Sequence, residues 1–183
     1  MTFVRAFISI ELPKNIIKEI DKIQKQLPEF KGKKTESENL HLTLKFLGNI
    51  DEDILNEVKR RLRDIKLKKF LVEISDLGVF DNRKSRKYEQ QIIIWIKLTN
   101  CGALQKEIDE MLSGFFEKER RFMGHITIGR VKSMKNKKNF LKELKKIKIS
   151  SGLEFEVKNF KLKKSILSSK GPKYETIEEY SLV

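Results

Sequence analysis

Two histidines occur in 183 residues, and they open the same four-residue pattern 84 positions apart. His41-Leu42-Thr43-Leu44 and His125-Ile126-Thr127-Ile128 both read His, apolar, Thr, apolar. Thr is scarce, six in the chain, so its place two residues after both histidines marks a repeat of pattern. Alternating apolar residues read as half-buried β-strands. On a strand, residues i and i+2 share a face. Each His therefore lies beside its Thr, while Leu42, Leu44, Ile126 and Ile128 turn the other way into a core.

The surroundings repeat as well. An apolar strand spans 3–12, and a helix opens at Pro13 with Ile16, Ile17, Ile20, Ile23 and Leu27 at helical spacing. A polar stretch to Asn39, the first His strand and Gly48 follow. Asp51, Glu52 and Asp53 begin the next helix and Lys59, Arg60, Arg61 and Arg63 end it, the order a helix dipole favours. A strand over 70–74 closes this half. The second half has an apolar strand at 92–98, read as buried on both faces, and a helix bearing Leu104, Ile108, Met111, Leu112 and Phe115. The second His strand comes next, then a basic helix with Phe140, Leu141, Leu144 and Ile147, then a strand with Leu153, Phe155 and Val157. Strand-like segments fill 160–183, with a turn at Gly171-Pro172. Strands and helices do not alternate regularly, so the fold class is α+β with mostly antiparallel sheets and flanking helices. The repeat predicts one two-lobed, pseudo-twofold domain over 1–183. Its pseudo-repeats run roughly over 1–80 and 90–160, and the two His strands meet at a central cleft.

Composition narrows the setting. The single Cys101 excludes an internal disulfide and suits a reducing cytoplasm. The amino-terminal apolar run is too short to span a membrane and contains Arg5. A cytoplasmic monomer is expected. Net charge is +14, and residues 131–174 hold fourteen Lys against three Glu. Such a field attracts polyanions, which favours nucleic acid as partner. A solvated Lys-rich face is the alternative.

Two imidazoles facing one phosphate can divide acid and base work, because an unperturbed pKa near 6.5 suits both tasks. The Thr hydroxyls can donate to non-bridging phosphate oxygens. No covalent nucleophile is required, and two histidines without a carboxylate cluster are a poor metal-ligand set. The residue types leave the two histidines interchangeable. Lys45, four residues after His41, has the parity to share its face and touch substrate; a solvated strand-end lysine is the alternative. Arg130 has the wrong parity unless the strand bulges near Gly129, which glycine permits. Among aromatics that could stack a base, Tyr88 in the basic loop Asp81–Glu89 is the best candidate. Phe46 has core-facing parity, Trp95 sits in the buried strand, and Phe80, Phe122 and Tyr174 complete the set.

The chain resembles the two-histidine phosphoesterases and, among them, the RNA 2',3'-cyclic phosphodiesterases, also called 2'-5' RNA ligases. The residues that carry the resemblance are Arg5-Ala6-Phe7-Ile8-Ser9-Ile10-Glu11-Leu12-Pro13, Glu38-Asn39-Leu40-His41-Leu42-Thr43-Leu44-Lys45-Phe46-Leu47-Gly48 and Phe122-Met123-Gly124-His125-Ile126-Thr127-Ile128-Gly129-Arg130. Leu167-Ser168-Ser169 and Gly171-Pro172-Lys173-Tyr174 extend it. Gly124 departs from the pattern, since relatives usually carry Pro there. The resemblance implies hydrolysis of a terminal RNA 2',3'-cyclic phosphate to a 2'-phosphomonoester, and no cofactor or metal is expected because the ligand cluster is missing. It implies His125 as proton acceptor, His41 as proton donor, and Thr43, Thr127 and Arg130 on the phosphate. The implied partner is RNA with a cyclic phosphate end, tRNA fragments included. Reverse 2'-5' ligation follows from microscopic reversibility. A phosphodiesterase for a small cyclic nucleotide and a non-catalytic RNA-binding module remain open alternatives.

Overall fold

The computed structural model describes residues 3–82, 91–168 and 171–183. Its elements begin with β1 (Val4–Glu11), α1 (Lys14–Gln26), β2 (Lys31–Lys34), β3 (His41–Ile50), α2 (Glu52–Arg63) and β4 (Phe70–Asp81). They continue with β5 (Ile92–Leu98), α3 (Gly102–Met111), β6 (His125–Ser133), α4 (Lys137–Leu144), β7 (Glu154–Val157), β8 (Asn159–Ser168) and β9 (Gly171–Ser181). This is an α+β fold of four helices on a curled antiparallel sheet.

Local chemistry sets the helix limits. Helix α1 follows Pro13, whose fixed φ suits a helix start, and ends at Leu27, before Pro28. It buries Ile16, Ile20 and Ile23 on one stripe. Asp51 caps α2, its carboxylate accepting from the Ile54 N–H at 2.9 Å. Asn136 caps α4 in the same way through the Asn139 N–H.

The strand order is β7-β4-β5-β6-β3-β1-β8-β9, with β2 joining β6 off this path. Read outward from the centre, β3 and β6 correspond, then β1 and β5, then β8 and β4. The pseudo-twofold relation thus passes between the two His strands, which pair at Leu42↔Ile126, the residues just after the two histidines. Sequence repeats and sheet halves do not coincide: β4 closes the first repeat but pairs with β5 of the second, and β8, which follows the second repeat, pairs with β1 of the first.

Several elements differ from the sequence expectation. Strand β2 lies inside the polar stretch before His41; its four residues, Lys-Gly-Lys-Lys, are all exposed, so no apolar alternation announces it. Strand β4 runs on to Asp81. Strand β5 is not buried on both faces, because Trp95 and Lys97 look into the cleft and are partly exposed. Phe115 leaves the helix stripe and is exposed under the Arg61 guanidinium, 4.6 Å above its ring.

Candidate active site

Leu42 and Ile126 are fully buried under the central strand pair, each contributing about 1.5–3 kcal/mol by removal from water. Their burial turns His41, Thr43, His125 and Thr127 together to the opposite, concave face. On that face β1 sets Glu11 beside His41 and Ser9 beside Thr43. At the corresponding places β5 sets Lys97 beside His125 and Trp95 beside Thr127. Sequence reasoning assigned none of Ser9, Glu11 and Lys97 to the site, and it read Trp95 as part of a buried strand. Their alternation was visible, but register between distant strands was not.

Both imidazoles are oriented alike. His41 Nδ1 lies 2.7 Å from the Asn39 carbonyl and His125 Nδ1 lies 2.8 Å from the Met123 carbonyl. A carbonyl only accepts, so each Nδ1 carries the proton and each Nε2 is left for chemistry. His41 Nε2 is 3.0 Å from Thr43 Oγ1, whose hydroxyl donates to the neutral ring. Burial pushes His41 down to about 4; the Asn39 hydrogen bond and Glu11 oppose this, while Lys163 and His125 add to it.

A bulge after each HxT redirects the residues beyond it. The β1–β3 register skips Leu44, and the β5–β6 register skips Ile128, the same place in the second motif. The burial pattern along the first nine residues of β3 and β6 is therefore identical. Lys45 does not share the face of His41, contrary to its parity. The bulge turns it inward, 3% exposed, where Nζ meets Asp109 Oδ1 at 2.5 Å and the Glu117 carbonyl at 2.7 Å. Phe46 is likewise not core-facing: the same flip leaves it 70% exposed, 6.2 Å from the Phe7 ring. Gly129 takes the buried place and Arg130 comes out on the face of His125 and Thr127.

Aromatic rings enclose both histidines. Phe7 and Tyr174 each stand with centroids 5.1 Å from His41, and Phe80 stands 5.2 Å from His125 and 5.2 Å from Trp95. Burial raises the Tyr174 pKa, against the lowering influence of Arg130 and Arg5. Phe122 packs half-buried against the core. Tyr88 and most of the Asp81–Glu89 loop lie outside the described residues; Asp81 itself pairs with Lys137 at 2.6 Å. Ser9 Oγ and Trp95 Nε1 are buried in the cleft floor at corresponding positions, with no hydrogen-bond partner among the described residues.

The lysines of 131–174 are spread over more than one face, and Lys161 and Lys163 lie on the cleft side, beside Ser9 and Phe7. Eight of them, at 135, 137, 146, 158, 161, 163, 164 and 173, have carboxylate partners within 4.0 Å. Helix α4 packs Phe140 against Phe30 on the core side of the sheet, where a Cβ on Gly129 would point. Its lysines therefore lie behind the site. Among the described residues no three His, Cys, Asp or Glu side chains are grouped to hold a metal ion.

The geometry can be compared with known proteins. The model of the LigT-like phosphoesterases matches residues 10–88 and 99–174. An RNA 2',3'-cyclic phosphodiesterase of Methanocaldococcus jannaschii is 41% identical over 181 residues, 97% of this chain and all of that protein. Those of Aquifex aeolicus and Archaeoglobus fulgidus are 34% and 31% identical, each covering at least 97% of this chain and 99% of its own length. Among solved structures, apo LigT of E. coli superposes with a TM-score of 0.79 at 20% identity, over 100% of this chain and 99% of that one. TT0787 of Thermus thermophilus does so at 0.75 with 25% identity, over 97% of both. A family model that spans both HxT repeats, and relatives alike from end to end, make this chain a member of the LigT-like phosphoesterase family.

Proposed function

We propose that the chain hydrolyses a terminal 2',3'-cyclic phosphodiester of RNA to a 2'-phosphomonoester by acid–base catalysis between His41 and His125. The observation that carries this is the pair of Nε2 atoms on one concave face, each imidazole locked through Nδ1 to a backbone carbonyl. The names of the curated relatives supply the substrate class. In the reaction His125 takes the proton of the attacking water, and the oxygen forms a bond to phosphorus. The P–O3' bond breaks and His41 gives its proton to the departing 3' oxygen. Thr43, Thr127 and Arg130 hold the non-bridging oxygens, the guanidinium through two parallel hydrogen bonds. Thr43 must then turn its hydroxyl from His41 to the substrate.

Its buried surroundings hold His41 neutral. A bound phosphate anion favours its charged form, so substrate binding itself supplies the acid. With the 5'-hydroxyl of a second RNA in place of water, the same steps join RNA ends through a 2'-5' linkage: the 5' oxygen bonds to phosphorus as the P–O3' bond breaks. The working form on this reading is a cytoplasmic monomer without metal or cofactor, and no helix among the described residues is long and apolar enough to cross a membrane.

An oligonucleotide ending in a 2',3'-cyclic phosphate should yield the 2'-phosphomonoester, with or without EDTA. A 3'-monoester product, or loss of activity on chelation that a divalent ion restores, would sink the mechanism. A second reading, a small cyclic nucleotide as substrate, is favoured by the ion pairing of eight of the fourteen 131–174 lysines. Comparison of the two substrates decides it.

A further inference from the structure

The two His strands pair at one position, and the backbone on either side must be held by other means. Strand β2 takes the edge of β6 that β3 leaves, through Lys34↔Gly129 and the Thr35 N–H to the Ile128 carbonyl at 3.0 Å. Gln24 of α1, 7% exposed, locks this junction: its Nε2 donates to the Thr35 carbonyl at 2.9 Å and to the Ile128 carbonyl at 2.8 Å. The second repeat solves the same problem with different atoms. Asp109 of α3, 4% exposed, accepts from Lys45 at 2.5 Å and from the Glu119 N–H at 2.8 Å, while Lys45 also donates to the Glu117 carbonyl. Gln105 satisfies Asp109 Oδ2 at 2.7 Å.

These staples occupy corresponding places. Thr35 stands six residues before His41 and Glu119 six before His125. Gln24 grips Ile128, the bulged residue of the second motif, and Lys45 follows Leu44, the bulged residue of the first. Between staple and histidine lies the carbonyl that fixes each ring, Asn39 or Met123. A buried ion pair gives weak net stability, since desolvation offsets its attraction. Its specific effect is the placement of the groups it binds.

We propose that Gln24 and the Lys45–Asp109 pair are positioning residues. Each pins the segment leading to one histidine against the strand that carries the other, and so keeps that ring's Nδ1 on its carbonyl and its Nε2 toward the cleft. Their effect on turnover rests on the phosphodiesterase reading; their effect on the rings does not.

With two histidines in the chain, side-chain 15N spectra report each ring's tautomer separately. In wild type both should carry the proton on Nδ1. Gln24→Met should shift His41 toward the Nε2–H form and leave His125 unchanged. Lys45→Met/Asp109→Leu, which leaves no buried charge unpaired, should do the reverse. Both should lower kcat about 10- to 100-fold, the scale of a small misplacement, with KM nearly unchanged. Gln24→Asn and Lys45→Gln/Asp109→Asn, the latter again leaving no buried charge unpaired, are the milder substitutes if either variant fails to fold. Folded variants with both tautomers intact and full kcat, or with both rings disturbed equally by either change, would overturn the proposal. An inactive wild type would remove the phosphodiesterase reading while the ring-selective shifts still decided this one.

Discussion

At the scale of single residues, the two histidines differ in surroundings more than in orientation. His41 sits among Phe7, Tyr174 and Lys163, and burial holds its pKa near 4, below the ordinary 6.5. Because the folded value is depressed, this stability contribution is present above about pH 6.5 and is lost as pH falls through about 4. The slope within that window is about 1.4 kcal/mol per pH unit. His41→Asn should therefore lose less Tm than wild type between pH 7 and pH 4.5, and equal losses would contradict the depressed value. For activity, His41→Ala and His125→Ala should each remove nearly all turnover, while Thr43→Ala and Thr127→Ala should cost about 100-fold or more, as for one oxyanion donor. A phosphodiester with a nitrophenolate leaving group needs little protonation. It should restore much of the rate to the His41 variant and none to the His125 variant; the opposite pattern would exchange acid and base.

At the scale of elements, the bulges after Thr43 and Thr127 decide which side chains reach the cleft. Without them Lys45 would face the cleft and Arg130 would be buried; with them Arg130 is exposed and Lys45 turns inward to Asp109. A bulge adds one unpaired residue and reverses parity beyond it, which a reading by strict alternation cannot anticipate. Arg130 was recoverable because Gly129 flagged the irregularity. Lys45 and Phe46 had no such flag. The entry to β6 is closely packed around Gly124. A Cβ on Gly124 would clash with Cys101 Sγ and meet the Leu98 carbonyl oxygen at 2.9 Å, and that strand entry is fixed by the Leu98 N–H bond to the Gly124 carbonyl. Gly124→Ala should cost about 1–3 kcal/mol by overpacking. Adding Cys101→Ala, which clears the thiol, should recover most of it in chemical denaturation; no recovery would place the strain at Leu98 alone.

At the scale of the molecule, charge and topology make separate predictions. The net charge is +14, and on the cleft side Lys161 and Lys163 are paired with Glu11. Arg5, Lys97 and Arg130 lie on the cleft side, with no ion pair among the described residues. An RNA end that meets three such cations should lose about 20-fold in affinity over a fourfold rise in salt, and a cyclic mononucleotide only about threefold. Equal slopes would favour the small nucleotide as substrate. The crossing of β4 and β8 between sheet halves predicts a single cooperative unfolding transition for 1–183, with calorimetric and van't Hoff enthalpies equal. Two resolved transitions would show the lobes to be independent.

The sequence by itself determined the repeat, the four helices, the His and Thr side chains sharing strand faces, and the family. Those features are local, written in periodicity, caps and the HxT spacing. Only the tertiary structure decided which distant residues surround the histidines. Ser9, Glu11, Trp95 and Lys97 reach the cleft through strand register, and Lys45 leaves it through a one-residue bulge. Strand β2 forms because β6 offers a free edge, not because Lys-Gly-Lys-Lys prefers extension. Net charge likewise counted lysines without their partners; those of Lys161, Lys163 and Lys164 come only from the pairing of β8 with β1 and β9. Register, bulges and ion pairs depend on contacts between residues far apart in the chain, and a single sequence records the residues without recording those contacts.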